Sequence, residues 1–247
     1  MARRRIGFVG CPPEDVMGRI RKHELIDLDN LIPGVPVASE GVLPKTVCRI
    51  IKRIYDNARA LDLDEIVFDE GYGKCDSGRA LASLLEETLP VSVRRTRNVS
   101  LEGRGTPVSD SRLPLRRKVE MILDDFVRPV ERSLEPEPCP AAALWGVPCA
   151  DFSLYDLFPD GTRILGWLRC FENRTPADEA LEQMVDPKIP TVFFAQAFCH
   201  KNLLAKHLAE RYGGLYFDID GQVTLPIRAK VEAFMKFRVQ GGRRVVG

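Results

Sequence analysis

The feature that most constrains this chain is the alternation of short apolar runs with longer stretches of helical periodicity. The strand-like runs are 5–10, 35–39, 65–69, 91–97, 143–147, 163–167, 191–198 and 214–219. Between and after them lie helix-like segments at 44–61, 77–89, 112–130, 177–185, 201–212 and 227–237. In the segment after the second run, Val47, Ile50, Ile51, Ile54, Ala58 and Leu61 recur at helical spacing. Pro12-Pro13 and Thr175-Pro176 open helices, and Gly213-Gly214 closes one. Strand–helix alternation of this kind builds parallel sheets.

The polarity of the strands predicts how the sheets divide. In the first half "IGFVG" and "EIVFD" are apolar, whereas "VPVAS" and "VSVRR" are short or charged. In the second half "ALWGV" and "TVFFAQAF" are apolar, and "RILGWLR" and "GLYFDID" are bounded by charge. Central strands are buried on both faces and edge strands are not. The expected fold is therefore α/β, with two doubly wound, Rossmann- or flavodoxin-like parallel-sheet halves facing a cleft and the first in the order 2-1-3-4. A single (β/α)8 barrel is the alternative. The expected division is a domain at 1–132, a proline-rich linker at 133–141 around Glu135-Pro-Glu-Pro-Cys-Pro140, and a second domain at 142–247 ending in a flexible tail, Gly241–Gly247.

Composition excludes more than it selects. The chain has 247 residues, 45% hydrophobic and 29% charged, with a net charge of +1, so global charge predicts no partner. No apolar run approaches the roughly 18 residues of a membrane span, and "MARRRIGFVG" leads into a first strand rather than a secretory signal. A cytoplasmic protein is expected.

The seven cysteines carry the sharpest functional signal. None forms a CxxC pair, which removes zinc-ribbon and thioredoxin patterns. Cys11, Cys75, Cys149 and Cys199 each follow one of the four strands expected at the sheet centres, and Cys170 follows the sixth. Ligands of open parallel sheets bind beyond the carboxyl ends of the strands. Thiolates converging there from separate loops suit an iron–sulfur cluster or zinc. The expected metal ligands are Cys11, Cys75, Cys149 and Cys199, or a three-cysteine subset with Cys170. Cys48 reads as a core residue and Cys139 as a linker residue. In architecture alone this arrangement resembles the nitrogenase-like and 2-hydroxyacyl-CoA dehydratase proteins, which use paired doubly wound domains with cysteines from loops around a cluster. No motif matches them residue by residue, so no site residue is carried over.

Other groups crowd the same strand ends. Gly71-Tyr-Gly-Lys-Cys-Asp-Ser-Gly78 follows the third strand but is not a Walker A loop: the spacing is wrong and the hydroxyl after Lys74 is missing. Its amides could cradle an anion or a cluster sulfide, with Gly71, Gly73, Lys74 and Ser77 as contacts and Ser77 as the expected helix cap. From Arg94 to Lys118 there are eight basic residues against Glu102 and Asp110. Arg97 and Arg104 stand out as receivers of an anionic group, and the long loop Ser100–Ser111 reads as a lid. That stretch lacks aromatics for base stacking, so nucleic acid is not expected. His200 beside Cys199 is the histidine to watch, as a ligand or proton donor. Of the acids near strand ends (Glu40, Asp69, Glu70, Asp151 and Glu172), Glu70 and Asp151 join His200 as candidate catalytic groups. No GxSxG supports a serine hydrolase.

The sequence thus raises three functional expectations. The first is a cysteine-ligated metallocofactor protein, most simply iron–sulfur, acting in anaerobic-type redox or lyase chemistry or in cofactor assembly. The second is a metal-free enzyme or binder of a phosphorylated small molecule, using the Gly71–Gly78 turn and the Arg94–Arg104 loop. The third is a nonenzymatic interaction protein. The expected partners are a small anionic substrate or cofactor and no membrane, with a second copy of the chain or a redox partner protein as further candidates.

Overall fold

Each apolar run that the sequence places at a sheet centre contains a strand that is buried along nearly its whole length. The structure, a computed structural model, describes residues 3–128 and 133–240. The tail Gly241–Gly247, the expected helix end at Val130 and the expected boundary after residue 132 lie outside the described residues.

The strands form two four-stranded parallel sheets, ordered β2-β1-β3-β4 and β6-β5-β7-β8. In the first sheet β1 is Arg5–Val9, β2 Glu24–Asp27, β3 Glu65–Asp69 and β4 Ser92–Thr96. In the second β5 is Ala143–Gly146, β6 Arg163–Leu165, β7 Thr191–Gln196 and β8 Leu215–Ile219. Helices intervene: α1 Glu14–Ile20, α2 Arg49–Ala60, α3 Asp76–Thr88, α4 Leu115–Asp124, α5 Trp167–Asn173, α6 Glu179–Gln183, α7 Lys201–Tyr212 and α8 Leu225–Phe234. A 3-10 helix spans Phe152–Leu157, and a π-helical stretch follows α8. Among the described residues no helix is long and apolar enough to cross a membrane.

Two compact units result. Unit 1 takes the chain through Gly103, a short stretch from Asp125 and Arg174–Asp178; the rest, including α4, belongs to unit 2. The division therefore differs from the one expected. The proline-rich segment is hydrogen-bonded inside unit 2, where Glu137 N–H donates to Asp110 O at 2.7 Å and Arg112 N–H to Glu135 O at 3.1 Å.

In unit 1, β1 and β3 pair with Ile6 opposite Glu65 and Val9 opposite Phe68. Ile6, Phe8, Ile66, Val67 and Phe68 are all buried, each contributing about 1.5–3 kcal/mol of apolar burial. In unit 2, Ala143, Trp145, Phe193 and Ala195 of β5 and β7 pack with Ala205, Leu208 and Ala209 of α7. The second strand is a correction. Val35–Ser39 is a loop whose Ala38 and Ser39 N–H groups bond to Asp56 of α2, and the edge strand is Glu24–Asp27. That strand is four residues long, and its charged ends hide the alternation that marks longer strands.

Candidate functional site

Within unit 1, the connections from β1 and β3 leave in opposite directions. Their carboxyl ends therefore bound the crevice where open parallel sheets bind ligands. The residues there are polar and tightly fixed. Asp69 ends β3 and is fully buried. Its Oδ1 accepts the N–H groups of Asn98 at 2.9 Å and Gly71 at 3.2 Å. Its Oδ2 is buried with no hydrogen-bond partner among the described residues. Burial pushes the Asp69 carboxyl up to about 6, against the pull of Lys74 and nearby backbone N–H groups.

Two glycines make this packing feasible. A side chain on Gly71 would stand 2.7 Å from the backbone N and O of Asn98. Gly10, just past β1, has φ of +74° and lies directly beneath the Lys74 ammonium, so a Cβ there would collide with Nζ. On the other side of β1, Gly10 N–H donates to Asp29 Oδ2 at 2.6 Å, and Asp29 N–H donates to Asp27 Oδ1 at 2.9 Å. Burial and the adjacent Asp29 carboxylate push Asp27 well above the ordinary carboxylate range.

Cys11 lies in the same crevice, fully buried. Its carbonyl accepts from Asn98 Nδ2 at 3.0 Å, and its Sγ lies 3.5 Å from the same nitrogen. Burial pushes its thiol up to about 12, although Arg174 and Lys74 pull it down. It is held as a thiol. Cys75 is the N-cap of α3 and half-buried, with no side-chain cap bond. Ser77, the expected cap, is instead an exposed residue of the first turn. Serine is a far better cap than cysteine, so Cys75→Ser is expected to stabilise the protein by about 0.5–1 kcal/mol. The comparison of melting temperatures with wild type checks this.

The remaining unit 1 candidates are engaged in ion pairs. Glu70 holds Arg95 at 3.3 Å and Arg97 at 3.9 Å. Arg94 pairs with Glu65 at 2.8 Å, and Arg95 also grips Glu86 at 2.6 Å. The arginines of β4 are thus matched to carboxylates of their own sheet and helix. Gly73 has φ of +81° and turns the chain into Lys74.

Unit 2 has its own carboxyl edge, between β5 and β7. Cys149 is buried and donates its N–H to the Tyr155 hydroxyl at 2.8 Å. Asp151 caps the 3-10 helix, accepting from Ser153 N–H at 3.0 Å and Val223 N–H at 2.8 Å. Burial pushes its carboxyl up, but those N–H groups, the Ser153 side chain and the Arg228 charge together outweigh burial and hold it below the usual range. It acts here as a structural anchor. Cys170 is a correction: it lies inside α5, buried, rather than at a strand end. Cys199 is half-buried beyond β7, with His200 at the N-cap of α7.

The expected lid is fixed at its second half. Glu172 of α5 accepts from Val108 N–H at 2.8 Å, from Ser109 N–H at 2.9 Å and from the Ser109 hydroxyl. Arg104 and Gly105 donate their backbone N–H groups to Asn173. Lys118 is fully buried, with Nζ donating to the carbonyls of Thr162 at 2.7 Å and Ser109 at 3.2 Å. Burial lowers its ammonium to about 8, against the pull of Asp110 and Glu172.

No group of three or more His, Cys, Asp or Glu side chains among the described residues is arranged to hold a metal ion. The expected thiolate set finds no support in this geometry. What the fold and sites define is a pair of doubly wound α/β units, each with polar groups at the carboxyl edge of its sheet. No protein-family model matches the chain, and no curated protein matches it.

Sequence reasoning grouped Asp69 with the other strand-end acids and favoured Glu70. The signal that separates them is position. Asp69 is the last residue paired in the central strand, opposite Thr96, whereas Glu70 lies beyond it.

Proposed function

We propose that unit 1 is an enzyme unit that binds a small anionic molecule, such as a phosphorylated or carboxylated metabolite, and moves a proton on it. The observation that carries this reading is Asp69: a buried carboxyl at the switch point, one oxygen held by two N–H groups and the other without a hydrogen-bond partner. A carboxyl poised near 6 exchanges protons efficiently at neutral pH. Lys74 supplies the opposing charge for an anion entering over Gly10 and the start of α3. The N–H groups of that thirteen-residue helix, which no side chain caps, favour negative charge in the same place.

In this reading Asp69 Oδ2 takes a proton from the substrate and returns it to a neighbouring atom or to the product. Gly71 and Asn98 hold Oδ1, so the carboxyl does not rotate away. The test is a thermal-shift screen of sugar phosphates and small carboxylic acids at pH 7, followed by proton exchange of the bound compound in heavy water. Wild type is expected to bind one compound class and exchange its proton. Lys74→Met should lose the binding, and Asp69→Asn should bind without exchanging. Binding or exchange untouched by both variants would overturn the reading.

The iron–sulfur expectation has a separate readout. It requires iron and acid-labile sulfide in protein purified without oxygen, lost in Cys149→Ala and Cys199→Ala.

A further inference from the structure

In unit 2 the chain leaves β7 through a backbone conformation that a bulky residue rarely adopts. Phe198 has φ of +61°, in the left-handed region, and is 57% exposed. The turn is locked from both sides: Cys199 N–H donates to Gln196 O at 3.0 Å, and Asn202 Nδ2 donates to the same carbonyl at 2.8 Å. Tyr216 on the neighbouring β8 holds Asn202 through a 3.2 Å bond. The result is a tight strand-to-helix elbow that presents Cys199 at the start of the twelve-residue helix α7. Cys199 Sγ lies 4.0 Å from His200 Nδ1.

A second, independent feature lies at the same strand end. Gln196, the last residue of β7, is fully buried. Its Nε2 donates to Pro148 O at 3.0 Å, so the side chain spans from β7 to the loop after β5. That bond fixes the amide orientation and leaves Oε1 as the other end. Oε1 is buried with no hydrogen-bond partner among the described residues. A buried acceptor without a donor is costly, and here it sits at the switch in strand order of its own sheet, where a ligand N–H or O–H would satisfy it.

We propose that Cys199 is a nucleophilic thiol, with His200 as its proton acceptor, for an acyl compound whose N–H or O–H group bonds to Gln196 Oε1. The Cys199 S–H proton passes to His200 Nδ1, and the sulfur attacks the acyl carbonyl carbon. The tetrahedral adduct collapses, the bond to the leaving oxygen or sulfur breaks, and that atom takes the proton from His200. An S-acyl cysteine and a free alcohol or thiol result, with no change of oxidation state. The exposed Phe198 offers an apolar wall for the acyl chain. This inference concerns unit 2 alone and is independent of the acid–base reading of unit 1.

The experiment uses the full chain and two activated probes, the p-nitrophenyl esters of N-acetylglycine, which carries an amide N–H, and of acetic acid, which does not. Wild type is expected to give a stoichiometric burst of nitrophenolate, with the acyl group on Cys199 by peptide mass mapping. His200→Gln should slow the burst on the order of a hundredfold. The N-acetylglycine ester should be preferred, and Gln196→Met should remove the preference. His200 is exposed, so its variant is expected to fold. An acyl group found mainly on exposed Cys139, or a burst as fast in His200→Gln as in wild type, would overturn the proposal.

Discussion

Replacing Glu172 with alanine is expected to lower the unfolding free energy by about 3–5 kcal/mol, the range for removing one partner of a buried charged network. Glu172 is buried and accepts three hydrogen bonds from Val108 and Ser109, both themselves buried. Alanine leaves those donors without an acceptor in a place water does not reach, at about 1–3 kcal/mol for each group. It also removes one of the carboxylates that holds charge on the buried Lys118. The costs overlap because Lys118 bonds the Ser109 carbonyl as well, so the total stays below their sum. Urea unfolding of Glu172→Ala beside the exposed control Glu179→Ala measures the effect. A loss under about 1 kcal/mol would mean the 108–109 segment is not held by this carboxylate.

Asp69→Asn is expected to change stability with opposite consequences at low and neutral pH. The folded pKa of Asp69 is raised from 3.8 to about 6. Between those values the folded state binds the proton that the unfolded chain releases. The contribution of this group is therefore fully present below pH 3.8 and is lost as pH rises through 6. A shift of this size corresponds to about 3 kcal/mol. Asparagine stays neutral throughout, and its Oδ1 can still accept from Gly71 and Asn98. Relative to wild type, Asp69→Asn should gain about 2.4 kcal/mol on going from pH 4 to pH 7.5. It should be the more stable protein at the upper end. Urea midpoints at the two pH values report it, and parallel behaviour of the two proteins would show that Asp69 titrates as an ordinary carboxylate. A residue whose ionised form costs stability where it sits is the pattern expected of a group retained for chemistry.

Much of the fold was legible in the sequence for one reason. A strand buried on both faces must be apolar along its middle, and β1, β3, β5 and β7 are, with polar residues confined to their ends. Their contrast with shorter or charged neighbours marked them as the central strands. The short edge strand Glu24–Asp27 was not legible, because an edge strand with one exposed face and four residues carries little pattern. The division into units was not legible either. Helix α4 follows the first sheet in sequence, yet packs in unit 2 against α5 and the 3-10 helix. Its buried stripe of Leu115, Val119 and Ile122 says only that it packs, not against what.

The candidate sites show the same limit at finer scale. The sequence marked the strand ends as the place for chemistry and put Cys199 and His200 there. It could not separate Asp69 from Glu70, or see that Gln196 closes β7 with an unanswered oxygen.

By itself, then, the sequence determined that the chain builds parallel α/β sheets and which strands lie at their centres, because burial on two faces is a property of local composition. Only the tertiary structure decided which polar side chains lose water and which find a partner. Asp69 is buried and bonded by Gly71 and Asn98, residues apart along the chain, while Glu70 beside it meets Arg95. Desolvation depends on what the rest of the fold brings to a group, and no local pattern records that.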